Sequence, residues 1–112
     1  MTHFMKLNEQ PFAMIARGQK TIELRLCDEK RQLVQPGDQI VFTKADGQQL
    51  TAQVVKLHRF ADFAQLYKTL PLEKCGYTSQ ELDHADPKDM EVYYSAQQQK
   101  KYGVLGIEIA LV

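Results

Sequence analysis

The chain has no tryptophan, only two cysteines and no net charge across its 112 residues. Each shortage excludes something. Cys27 and Cys75, outside any CxxC spacing, cannot build a disulfide framework and read as free thiols of a reducing compartment. Basic and acidic side chains number 14 each, which argues against a strongly basic arm that tracks a long nucleic acid. No apolar run approaches the roughly 18–20 residues that span a bilayer. The start, Met1-Thr2-His3-Phe4-Met5-Lys6, lacks a basic stretch followed by a long apolar one, so no signal peptide is expected. Together these absences predict a cytoplasmic protein with no membrane partner. His3, His58 and His84 are scattered and share no ligand spacing with each other or with cysteine, so neither a metal nor another cofactor is expected.

What is present is an ordinary globular composition, 44% hydrophobic and 25% charged, at the length of one domain over residues 1–112. The charge is uneven: residues 1–60 carry +3 and residues 61–112 carry −3. A local basic cleft in the first half is therefore allowed.

Local patterns predict the elements. Phe4–Leu7 reads as a short strand. Asn8 can cap a helix that opens near Pro11 and ends at Gly18. Thr21–Leu26 alternates strictly, with Ile22, Leu24 and Leu26 on one face and Thr21, Glu23 and Arg25 on the other, as in a half-buried strand. Asp28–Gln35 reads as a polar loop before a Pro36-Gly37-Asp38 turn. Gln39–Lys44 and Leu50–Phe60 are rich in β formers and flank Asp46-Gly47, a hairpin pair. Asp62 caps a helix through Leu70, with Phe63, Leu66, Tyr67 and Leu70 on one face. Residues 71–85 read as a loop with a helical turn after Thr78. Asp86-Pro87 opens a helix to about Tyr94, Ser95 caps another into Tyr102-Gly103, and Val104–Leu111 is the closing strand. Hairpin-linked strands with a helical insertion before the last one predict an α+β fold, a small mostly antiparallel barrel with helices packed on it.

The chemistry concentrates in Gly18-Gln19-Lys20-Thr21-Ile22-Glu23-Leu24-Arg25. Lys20 stands at the mouth of the strand, and Glu23 and Arg25 follow on one face. An ammonium, a carboxylate and a guanidinium then come within reach of one small ligand. Arginine suits phosphate or carboxylate through paired hydrogen bonds. Glu23 could accept from an exocyclic amine, and Lys20 could pair with phosphate or serve as a base if desolvated. The blander alternative is a solvated face with one weak Glu–Arg pair. Lys56 and His58 could extend a basic rim. Among the aromatics, Tyr77 after Gly76 is the best platform for a stacked base, while most others fit a core. Cys75 reads as structural rather than nucleophilic.

Gly18-x-Lys20-x-x-Glu23-x-Arg25, after Pro11-Phe12 and before Pro36-Gly37-Asp38, resembles the ASCH domain family of PUA-like barrels. The likeness extends to Phe60–Leu70, Cys75-Gly76-Tyr77 and Tyr102–Ile109, nearly the whole chain. It implies a cleft between barrel and helices lined by Lys20, Glu23 and Arg25. It also implies association with RNA. One branch of the family hydrolyses acetylcytidine with a lysine, a threonine three residues later and a distant acid. Lys20 matches that lysine, Glu23 replaces the threonine, and the acid falls near Glu81 or Asp83. Of a ribonuclease branch, only Lys20 is matched. If the chain is an enzyme, Lys20 and Glu23 are the expected catalytic pair, acting on a water.

Three functions follow. The favoured one is a module that binds single-stranded RNA or a small nucleotide or nucleoside through Lys20, Glu23, Arg25 and Tyr77. The second is a small hydrolase acting on a modified nucleoside or on RNA. The third is a protein-interaction domain in which the charged strand only stabilises the barrel.

Overall fold

A computed structural model describes residues 1–112. Five strands form one sheet: β1 (Thr2–Lys6), β2 (Ile22–Leu26), β3 (Gln39–Thr43), β4 (Gln49–Phe60) and β5 (Val104–Leu111). Their spatial order is β1-β3-β4-β5-β2. Only the β1–β3 pairing is parallel. The fold is thus α+β and mostly antiparallel, as the hairpin signals predict. The hub is β4, twelve residues long, which pairs with both β3 and β5. A register shift between Val54 and Lys56 bends it, so the sheet curls into a half-barrel. The two edge strands share no backbone ladder. Side chains span the seam instead: Arg25 donates to the Lys6 carbonyl at 2.7 Å and Lys30 to the Phe4 carbonyl at 3.2 Å.

Helix α1 (Glu9–Ala16) covers the concave face, where Phe12 and Ile15 join Ile40, Phe42, Val54, Leu105 and Ile107 in the larger core. Full burial of each such side chain stabilises by about 1.5–3 kcal/mol. Helix α2 (Phe63–Thr69) covers the outer face near β2, packing Phe63 and Leu66 on Ile22, Leu24 and Val104. Gly106 makes this approach possible, since a Cβ there would lie 2.7 Å from Leu70 Cδ1. The chain then runs through a 3₁₀ turn (Leu72–Cys75), α3 (Ser79–Leu82), a second 3₁₀ segment (Pro87–Val92) and α4 (Ala96–Tyr102). No helix is long and apolar enough to cross a membrane.

Some local expectations change. Asn8 sits at the start of α1, but its side chain makes no capping bond, and the helix opens at Glu9. By contrast, Asp62, Thr78 and Ser95 cap their helices through Gln65, Glu81 and Gln98 backbone N–H groups. Pro87–Val92 is 3₁₀ rather than α-helical. The expected polar loop over Asp28–Gln35 contains a 3₁₀ turn that drops Val34 fully into the core. The largest change concerns β2. It is covered on both faces, because α2 packs on Ile22 and Leu24 while Glu23 lies opposite Ile107, on the sheet face that holds the larger core.

Candidate functional site

Glycine and backbone hydrogen bonds set the position of Lys20. Gly18, at φ 77°, turns the chain out of α1, and the Gln19 and Lys20 N–H groups both donate to the Met14 carbonyl. Thr21 N–H donates to the Lys74 carbonyl at 2.9 Å, which brings the Leu72–Cys75 turn alongside. Gly76 follows at φ 110°, where only glycine is comfortable, and its missing side chain leaves room for the Lys20 stem. Lys20 is 9% exposed and Glu23 3%, so neither belongs to a solvated strand face.

The charged groups form one cluster. Lys20 Nζ lies 2.7 Å from Glu23 Oε1, and Arg25 Nη2 lies 2.8 Å from Glu23 Oε2. Arg25 Nε also donates to Oε2 at 2.9 Å, and Leu24 N–H to Oε1 at 3.3 Å. Two hydrogen bonds and two cations thus crowd both carboxylate oxygens, leaving Glu23 little capacity to accept from the amine of a base. Burial works to raise the Glu23 pKa, but the Lys20 and Arg25 charges and hydrogen bonds outweigh it and hold the carboxyl below its ordinary range. Burial likewise disfavours the Arg25 charge, yet Glu23 and Tyr94 overcome it and hold the guanidinium firmly protonated. Glu23 therefore acts as an anchor between two cations and is a poor proton shuttle near neutral pH.

The cluster faces a cleft of about 960 Å³. Lys20, Glu23, Arg25 and Tyr77, the four residues singled out from the sequence, all line it. The Tyr77 hydroxyl is engaged with Tyr67 and with Asp89 Oδ2, the latter at 2.9 Å. Burial and these partners push the Tyr77 phenol well above its usual range, and burial first of all lifts Tyr67 to about 12. Both are uncharged structural donors, so Tyr77 offers its ring rather than acid–base chemistry. Burial also raises the Cys75 thiol to about 12, which removes it as a nucleophile near neutral pH. Glu81 lines the cleft, but its Oε1 accepts from Thr78 N–H at 2.9 Å; Asp83 is exposed and does not line it.

Lys56 and His58 do not extend the basic rim. His58 instead pairs with Glu108 at 2.9 Å, and neither residue reaches the cleft. Two tyrosines gain importance. Tyr93 lines the cleft while remaining 62% exposed, and Tyr94 stacks on Phe63 beside Arg25. The only sequence signal for them was an aromatic pair at the end of a Pro-opened segment.

The family model for the ASCH domain matches residues 5–112. The chain belongs to the ASCH domain family. Among curated proteins, no sequence matches this ASCH domain. Solved structures do. The crystal structure of hypothetical protein PH0355 is similar with a TM-score of 0.84 at 33% identity, over 100% of both chains. The solution structure of protein PF0455 from Pyrococcus furiosus is similar at 0.72 and 32% identity, over 100% of this chain and 98% of that one. ASCH from Zymomonas mobilis shares the fold, with a TM-score of 0.67 at 13% identity over 97% of this chain and 66% of that one.

Proposed function

We propose that this ASCH domain binds a nucleotide-type ligand, in single-stranded RNA or free, with its anionic or carbonyl group at Lys20 and Arg25 and its base against the tyrosine wall. The observation that carries this reading is the buried Lys20–Glu23–Arg25 cluster, facing a cleft with Tyr77 and Tyr93 on its lining. One carboxylate shared by two cations leaves a positive charge, and donors of both cations remain for a ligand. The family's common association with RNA supports the same reading, and so does the size of the cleft, which suits a nucleotide. Two free thiols support a reducing, cytoplasmic setting.

A backbone amide NMR titration with cytidine 5′-monophosphate and a single-stranded octaribonucleotide tests it. Shifts clustered at Gly18–Arg25, Gly76-Tyr77 and Tyr93-Tyr94 are expected. Failure of both ligands to move those resonances at millimolar concentration refutes it. Hydrolysis is the second reading, favoured by the position of Lys20 on the cleft lining but opposed by the anchoring of Glu23 between two cations. Acetate released from acetylcytidine, and lost in Lys20→Met, would convert the binding module into an enzyme.

A further inference from the structure

The charges around the cleft limit how much anion it can accept. Four basic side chains line it, and three already face carboxylates. Lys20 and Arg25 share Glu23. Lys44 lies 3.0 Å from Glu9 and 3.6 Å from Asp46, packed over the Phe12 ring. Lys6 is the one lining cation without a carboxylate partner; its carbonyl receives Arg25. Two further carboxylates line the cleft and face no cation: Glu81, which accepts from Thr78 N–H, and Asp89, which accepts from Tyr77. The cleft lining thus combines the Lys6, Lys20 and Arg25 cations with two carboxylates that have no cation partner.

A single phosphate can settle on the free donors of Lys20 and Arg25, near Lys6. A polynucleotide would bring further phosphates to a lining that also carries Glu81 and Asp89, neither paired with a cation, against like charge. Outside the cleft the chain offers no compensating excess, since its basic and acidic residues balance at 14 each. We infer that the ligand is a free nucleotide bearing one phosphate group, rather than a stretch of RNA chain. This rests on the cleft reading above and narrows it. Polynucleotide binding strengthens with each phosphate neutralised, and its log–log salt slope is about −0.7 per contact for single strands. A one-phosphate site makes that slope shallow.

The test is calorimetric titration over a series of salt concentrations, with amide NMR reporting where each probe binds. The probes are the four ribonucleosides, their 5′-monophosphates and a mixed-sequence octaribonucleotide without terminal phosphates. At least one monophosphate is expected to bind about tenfold more tightly than its nucleoside, and the octamer no more than about threefold more tightly than that monophosphate, with a slope magnitude below about 1. An octamer about tenfold tighter than every monophosphate, with a slope magnitude of about 2 or more, overturns the inference while leaving the cleft reading intact. Nucleosides that bind as well as their monophosphates also overturn it, because phosphate would not be recognised. If no probe perturbs Gly18–Arg25, the cleft reading fails and the inference fails with it.

Discussion

Replacing Glu23 by glutamine keeps the side chain's shape but removes the anion between two cations. In the folded protein Lys20 and Arg25 then face each other across a neutral amide, in a site where Glu23 is 3% and Lys20 9% exposed. Deleting one partner of a buried ion pair costs about 3–5 kcal/mol. Here both cations line the cleft, and Arg25 retains the Lys6 carbonyl at 2.7 Å, so the cost should fall to about 2–3 kcal/mol. For a chain of this length that lowers Tm by about 10 °C. The effect has a pH signature. The folded carboxyl titrates below its ordinary value of 4.5, so its stabilisation is complete above that pH and is lost as pH falls through the lower folded value. The stability gap between wild type and Glu23→Gln is therefore full near neutrality and closes in acid. Urea denaturation of both proteins at pH values on either side of 4.5 measures it. A neutral-pH gap below about 0.5 kcal/mol, or one of the same size in acid, refutes the charge argument.

Three further outcomes are expected. Tyr93→Ala should weaken nucleotide binding by about 1–3 kcal/mol with little change in Tm, because the ring is 62% exposed; calorimetry and thermal melts check both parts. Gly103→Ala should destabilise by about 1–3 kcal/mol, since Gly103 has φ 73° and ψ −177° and an added Cβ would stand 2.9 Å from the Phe60 carbonyl oxygen; denaturant midpoints check it. Cys75, buried with its thiol lifted to about 12, should be alkylated by iodoacetamide near neutral pH only at the rate of local or global opening, which mass spectrometry of timed samples reads directly.

The sequence was most informative where one residue's local chemistry decides the outcome. Asp46-Gly47 marked the hairpin, Asp62 and Ser95 marked helix starts, and strict alternation marked β2 and β5, because turns, caps and pleats act over a few residues. Asn8 marked the N-cap position of α1 correctly, although its side chain makes no capping bond. Lys20, Glu23 and Arg25 were legible as a set because strand periodicity puts Glu23 and Arg25 on one face.

By itself, then, the sequence determined the element order, the mostly antiparallel barrel and the location of the charged residues, all consequences of short-range pattern. Only the tertiary structure decided what those charges do. Burial of β2 on both faces depends on α2 and on the Leu72–Cys75 turn, tens of residues away. It converts a solvated Glu–Arg pair into a desolvated cluster whose carboxylate is held between two cations. The presence of Glu81 and Asp89 on the cleft lining, and the exposure of Tyr93 there, likewise depend on where the 76–95 segment packs. Desolvation and long-range charge pairing are properties of three-dimensional neighbours, and no local pattern encodes them.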